Sequence, residues 1–416
     1  MNNYFFILGQ NKNLSIAEIL NKQEIKKLNL AFNAFKIGKK TLFLKTNKKL
    51  NCKNLLNSLG GSIKIGEIKK EFTNLKQINA KNILPLFSKT TGKTIFGFSA
   101  EEVIEKKFIK NLAIQIKKEL RLKSMNSRWV EAKETALSSV VVGKNSLIKK
   151  GAEIYIFKIE EKFYLGKTLA IQDFEKYSHR DFNRPTRDMT SGTMPPKLAQ
   201  IMINLACCDK LDIILDPFCG SGTILQEALL MNFQNVTGSD LSEKAISDSR
   251  KNLEWLKNNF QFSPADFCGI QLVRSDVKNL SQKIKANSVD AIITEPYLGP
   301  TTNNYQLRII NYELRITNLI SELSELYLSA FKEFKKILKK DGKIVIIFPA
   351  IKDKKNNKLI YLDILDKIKL SGFKIVKFLP NDLASSIEIT NRGSIIYARQ
   401  TPNQKIAREI FIFEKA

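Results

Sequence analysis

The chain has 416 residues, 43% of them hydrophobic, with 68 lysines and arginines against 41 aspartates and glutamates, a net charge of +27. That length accommodates two or three domains with their own cores, and no apolar run approaches the roughly 18 residues of a membrane helix, which excludes a helical membrane protein. Five cysteines without a C-x-x-C pair, and His179 as the one histidine, argue against a zinc site or a disulfide framework, so no metal is expected. The start Met1 to Gly9 lacks the basic segment of a signal peptide and reads as a strand, which points to a cytoplasmic protein. The positive charge suits a polyanion such as RNA or DNA, although a bias toward Lys, Asn and Ile also contributes to it.

In chain order, short apolar runs predict strands over 4–8, 32–37, 41–44 and 62–68, alternating with helices over 15–23 and 54–59. Ser15 with Glu18 three residues on reads as a capping box. Residues 1–75 thus form a small α+β domain. A second unit, 76–172, holds a strand over 94–99, a long basic amphipathic helix over 103–122, a Leu/Val strand over 134–142, and a hairpin of 153–160 with 162–170. Basic side chains, Arg121, Lys123, Arg128 and Lys133, surround Trp129. Residues 173–190, polar and carrying Arg180, Arg184 and Arg187, read as a linker. From 191 to 416, strands over 213–215, 236–239, 271–274, 291–294, 343–348, 374–378 and 394–399 alternate with helices. This is the pattern of an α/β domain with a seven-stranded, mostly parallel sheet.

The most informative stretch is Asp212-Ile213-Ile214-Leu215-Asp216-Pro217-Phe218-Cys219-Gly220-Ser221-Gly222-Thr223-Ile224. An apolar strand feeds a turn with two glycines, and the turn feeds a helix. Glycines let backbone approach a ligand closely, and the helix start offers free N–H groups. Asp240, where the next strand ends, lies at the distance at which an acid meets ribose hydroxyls in nucleotide folds. A nicotinamide site is disfavoured because Leu225 stands where the third glycine belongs, and a P-loop because no Gly-Lys-[Ser/Thr] follows. The stretch resembles the Asp-Pro-Phe-Cys-Gly-[Ser/Thr]-Gly-Thr loop of amino-methyltransferases that use S-adenosylmethionine. That resemblance implies S-adenosylmethionine as cofactor, with Asp216, Phe218, Cys219, Gly220, Gly222, Thr223 and Asp240 around it. Asp276, closing the third strand, would lie beside the adenine or else cap a turn. Thr193, in Gly192-Thr193-Met194-Pro195-Pro196-Lys197-Leu198-Ala199, belongs to a segment that covers the methionine end in that family.

A second constellation, Ala291-Ile292-Ile293-Thr294-Glu295-Pro296-Tyr297, resembles the [Asp/Asn]-Pro-Pro-[Tyr/Phe] motif of enzymes that methylate exocyclic amines. An aromatic amine is a weak nucleophile, so acceptors must hold its hydrogens, and an aromatic ring must hold the extruded base. Thr294 and Glu295 depart from the motif. Either Glu295 reaches the amine, or the Thr294 hydroxyl and a backbone carbonyl do, or activity is altered. Glu295, Thr294, Pro296 and Tyr297 are the candidate catalytic group.

Over its whole length the chain resembles the THUMP-domain tRNA guanine-N2 methyltransferases that act on guanosine 10. The carrying segments are Phe6-Ile7-Leu8-Gly9, Leu14 to Ile19, Leu59 to Ile65, Tyr164 to Thr168, and Arg399 to Lys405 with Arg408-Glu409-Ile410. The resemblance implies a ferredoxin-like domain (1–75), a THUMP domain (76–172) and a Rossmann-like methyltransferase domain (191–416). It further implies tRNA as partner, with basic residues such as Lys117, Lys118, Arg121, Lys123 and Arg128 on phosphates; the oligomeric state is left open, a monomer being one option. Methylation of ribosomal RNA or DNA amines, and a non-catalytic RNA-binding role, are the rival readings.

Overall fold

A computed structural model describes the chain apart from residues 32–33, 88–91, 188–192, 263–266, 301–311, 354–357 and 398–405, and gives residues 312–315 as backbone only. Gly192, the first two residues of the strand expected at 32–37, the whole Arg399 to Lys405 segment and the end of the strand expected at 394–399 lie outside the described residues. The chain divides into two compact units, Met1–Ile16 with Lys26–Lys176, and Ala17–Ile25 with Tyr177–Ala416.

The first unit is built on one eight-stranded sheet. Its strands are β1 (Asn2–Leu8), β2 (Phe35–Ile37), β3 (Thr41–Thr46), β4 (Ser62–Phe72), β5 (Thr94–Ala100), β6 (Ser127–Val130), β7 (Gly151–Ile159) and β8 (Lys162–Ile171), in the order β2-β3-β1-β4-β8-β7-β5-β6. Residues 1–75 and 76–172, expected as separate domains, share this sheet through β4 and β8, paired antiparallel from Lys64↔Ile171 to Phe72↔Phe163. The helix Lys106–Leu122 buries Leu112, Ala113, Ile116 and Leu120 at helical spacing, while Lys117, Lys118 and Arg121 stay exposed.

Three local expectations are corrected here. The capping box at Ser15 does not form, because the helix already starts at Lys12; the Ser15 hydroxyl donates to the Asn11 carbonyl (2.9 Å), and Glu18 is buried, accepting from Asn204 (2.8 Å). The strand expected over 134–142 is replaced by a helix, Ser139–Lys144, whose start is capped by Ser138 accepting from the Val141 N–H (3.3 Å). A local cap outweighs the β preference of three valines there. The linker expected at 173–190 opens with a helix, Phe174–Phe182, that buries Tyr177 and Arg180. Arg180 forks onto Glu227, Nε to Oε1 at 2.6 Å and Nη2 to Oε2 at 3.2 Å. The polar composition that suggested a linker is in part a set of buried anchors.

The second unit holds β9 (Ile213–Asp216), β10 (Asn235–Asp240), β11 (Ile270–Arg274), β12 (Val289–Thr294), β13 (Leu338–Lys352), β14 (Leu359–Tyr361), β15 (Phe373–Ile375), β16 (Ile395–Tyr397) and β17 (Ile406–Lys415). Seven of them follow the order β11-β10-β9-β12-β13-β17-β15, and the short strands β14 and β16 pair beside β13 and β17. The run from β11 to β13 is parallel, and β17 is antiparallel to both of its neighbours in that order. From β9 the chain builds outward through β10 and β11, then returns to the other side of β9 with β12. Carboxyl ends of strands at such a reversal leave a crevice. Ile214, Leu215, Ile292 and Ile293 are fully buried, as parallel strands covered on both faces require.

One face of this sheet is closed by the helix Tyr312–Ile337 through an aromatic cluster. The Phe331 ring lies 5.1 Å from Phe413, 5.2 Å from Phe373 and 5.7 Å from Phe334, centroid to centroid. Phe331→Ala should destabilise this unit by about 3–5 kcal/mol. Amide hydrogen exchange in β13 and β17 would register the loss, and unchanged protection there would show that the cluster is not structural.

Candidate cofactor and target-base site

The last residues of β9 and β10 and the first residues beyond β11 and β12 converge on one cleft of about 550 Å³. That volume is ordinary for a small-molecule site. Asp216 ends β9 and is 2% exposed. Its Oδ1 accepts from the Thr294 hydroxyl (2.7 Å) and from the Phe218 N–H (3.2 Å). Asp240 ends β10; its Oδ2 accepts from the Gly220 N–H (3.0 Å) and its Oδ1 from the Ser242 N–H (2.9 Å). The second acid therefore shapes the glycine turn as well as facing the cleft.

The two glycines serve different ends. Gly222 has φ +80°, and a Cβ there would stand 2.9 Å from the Ser249 hydroxyl oxygen, so packing on the helix Glu243–Asn259 requires its absence. Gly220 has φ +52°, with nothing within 4 Å of where a Cβ would be, and it lines the cleft. It provides bare backbone for a ligand to approach.

Thr193, Asp216, Phe218, Cys219, Gly220, Thr223, Asp240, Asp276, Glu295, Pro296 and Tyr297 all line this cleft. Asp276 combines two readings that were kept apart, because it caps the next turn by accepting from the Lys278 N–H (2.9 Å) and also borders the cleft. Two expected site residues lie elsewhere. Gly222 sits behind the turn, and Thr294 is fully buried with its hydroxyl committed to Asp216. A side chain closed off from the cleft cannot hold a target amine, so Thr294 joins β9 to β12 rather than facing a substrate.

Glu295, the first residue beyond β12, is gripped by Arg408 on β17, with Nε to Oε1 at 2.5 Å and Nη2 to Oε2 at 3.3 Å. Planar two-point pairing of this kind fixes a carboxylate's orientation. Arg408 stands 113 positions away and was not anticipated as a site residue; no local pattern marks it. Tyr297, 48% exposed, stands at the cleft beside Glu295 and Pro296.

The cleft is acidic although the protein is strongly basic. Asp216, Asp240, Asp248, Asp276 and Glu295 line it, and its lysine, Lys244, is paired with Asp248 (2.5 Å). This donor set fits S-adenosylmethionine, a ligand with a sulfonium, an ammonium and ribose hydroxyls. Among the described residues no group of His, Cys, Asp and Glu could hold a metal ion, and no helix is long and apolar enough to cross a membrane.

Residues 184–358 match the model of the RMKL-like methyltransferase domain, and residues 64–251 match a DNA methylase model. The second unit has a Rossmann-like α/β fold, and its residues 184–358 are similar to a methyltransferase domain. A tRNA (guanine(10)-N2)-dimethyltransferase of Methanothermobacter thermautotrophicus is 34% identical over 204 residues, 48% of this chain and 56% of the relative. A protein of the same name from Methanocaldococcus jannaschii is 33% identical over 164 residues, 38% of this chain and 44% of the relative. The chain thus spans about half the length of the curated relatives it matches. The crystal structure of TrmN from Thermus thermophilus shares the fold, with a TM-score of 0.52 at 14% identity over 100% of both chains.

Burial pushes the Asp216 carboxyl up from 3.8 to about 7, against the Thr294 and Phe218 bonds that favour its ionised form. The folded protein therefore keeps a proton that the unfolded chain releases. Its stabilising effect is full below pH 3.8 and is lost as pH rises through about 7. Asp216→Asn is neutral throughout. Relative to that variant, the ligand-free wild type should lose on the order of 4 kcal/mol across this interval, measured by urea denaturation. Parallel stability curves would contradict the assignment.

Proposed function

We propose that this protein methylates the exocyclic N2 amine of a guanosine in tRNA, at position 10, using S-adenosylmethionine. The observation that carries the reading is the pairing of an oriented carboxylate, Glu295, with a half-exposed aromatic ring, Tyr297, at the mouth of an acidic cleft. Guanosine 10 of tRNA follows from the names of the relatives.

When bound, S-adenosylmethionine supplies an electrophilic methyl group. Asp240 offers acceptors for ribose hydroxyls, and Asp216 an acceptor for the ammonium. Both protein bonds of Asp216 fall on Oδ1, so Oδ2 is left for a ligand. Tyr297 stacks on the extruded base. Each Glu295 oxygen spends one lone pair on Arg408 and retains capacity for another donor. Oε2, whose bond to Arg408 is the longer, accepts an amine hydrogen and turns the nitrogen lone pair toward the methyl group.

The first unit supplies the grip on RNA. Its ferredoxin-like (1–75) and THUMP (76–172) parts would present exposed Lys117, Lys118, Arg121, Lys123 and Arg128 to phosphates. Ribosomal RNA and DNA are the alternatives, and the DNA methylase match keeps the second in the assay.

Incubating the full chain with labelled S-adenosylmethionine and tRNA, ribosomal RNA or DNA, then identifying the nucleosides by mass spectrometry, tests the proposal. N2-methylated guanosine in tRNA alone is the expected product. Glu295→Ala should lower transfer by about 100-fold with cofactor affinity unchanged. Tyr297→Ala should weaken tRNA use by about 1–3 kcal/mol. An active Glu295→Ala enzyme would remove the carboxylate from the mechanism.

Affinity of the full chain for tRNA should fall steeply between about 50 and 200 mM salt. Filter binding across that range reads the slope, and a flat response would exclude a grip through phosphates.

A further inference from the structure

Arg180, Arg184 and Arg187 recur in the segment that precedes the cofactor domain, and their surroundings differ. Arg180 has a buried acid, Glu227, and Arg187 lies 4.0 Å from Asp181. Arg184 is only 4% exposed. Its Nη1 donates to the Thr223 hydroxyl at 2.7 Å, while its Nε and Nη2 are buried without hydrogen-bond partners among the described residues. An arginine stays charged in such surroundings, and with two of its donors unpaired its charge is only partly compensated by hydrogen bonds.

The position of that charge is informative. Thr223 is the first residue of the helix Thr223–Leu230, which follows the glycine turn, and it lines the cleft. A hydroxyl that accepts from Arg184 has its own proton free to donate. Helix N–H groups without intrahelical partners lie beside it. Elsewhere the cleft presents carboxylates, which repel an anion, and Lys244 is spent on Asp248. A zwitterionic amino-acid group bound here needs one cationic spot for its carboxylate.

We propose that Arg184 is a positioning residue that turns the Thr223 hydroxyl into a donor and, through its charge, makes this end of the cleft the seat of the ligand's carboxylate. The inference rests on the cofactor reading above. It assigns a role to a residue that lies outside the cofactor loop and is absent from the cleft wall.

Calorimetry with S-adenosylhomocysteine and its decarboxylated analogue, S-adenosyl-3-thiopropylamine, tests it on wild type and Arg184→Gln. Wild type should prefer the carboxylate form by about 10- to 100-fold. In Arg184→Gln that preference should shrink to about threefold or less. A merely structural arginine would weaken both ligands alike and keep the preference, which would overturn the proposal. Equal affinity of the two ligands for wild type would overturn it without any variant. Should Arg184→Gln fail to fold, Thr223→Val takes its place with the same expected loss of preference. If wild type binds neither ligand, the cofactor reading falls and this inference with it.

Discussion

The hydrogen bond from Thr294 to Asp216 is the contact on which the rest of the site depends. It joins the ends of β9 and β12, the strands between which the sheet reverses its order. On the β9 side it fixes the acid that opens the cofactor turn. On the β12 side it fixes the residue immediately before Glu295. The proposed transfer requires the two sites to be in register, and a buried bond of 2.7 Å joins the strands that carry them. Because Thr294 is fully buried, water does not compete for that bond.

Charge is sorted by location. A chain of net charge +27 keeps a cleft lined by five carboxylates. A phosphate backbone is drawn to the surface of such a protein and kept out of its cleft, whereas a cation or a neutral base is admitted. Asp216 is pushed up to about 7 by burial, so a cationic neighbour can draw out its charge, while Glu295 is gripped by Arg408.

Much of this was legible in the sequence because the information was local. Apolar strands ending in Asp216 and Asp240, a glycine turn and an immediate helix specify the cofactor loop within 30 residues. Seven of the nine strands of the second sheet follow from periodicity, whereas β14 and β17 were not anticipated as strands. What stayed hidden was carried by distant pairs. Arg408 reaches Glu295 across 113 positions, and Arg184 reaches Thr223 across 39. Thr294 was misplaced for a different reason: strand alternation says that a side chain leaves one face, but not whether that face meets solvent or a second strand's acid. The helix Ser139–Lys144 was misread because a run of valines looks like a strand until its serine cap is seen. The shared sheet of the first unit was missed because pairing of β4 with β8 spans most of that unit.

The segment Ala17–Ile25 groups with the second unit although it precedes nearly all of the first. The segment, with Ala17, Ile19 and Ile25 buried, belongs to a unit whose remaining chain begins about 150 residues later. On a ribosome that interval lasts roughly 8–30 s, at 5–20 residues per second. Throughout it the nascent chain carries an apolar stretch whose own unit is still incomplete. The first unit thus remains open to chaperones until the second has emerged and folded, and a ribosome that stalls early leaves a product marked for disposal rather than a free-standing first unit.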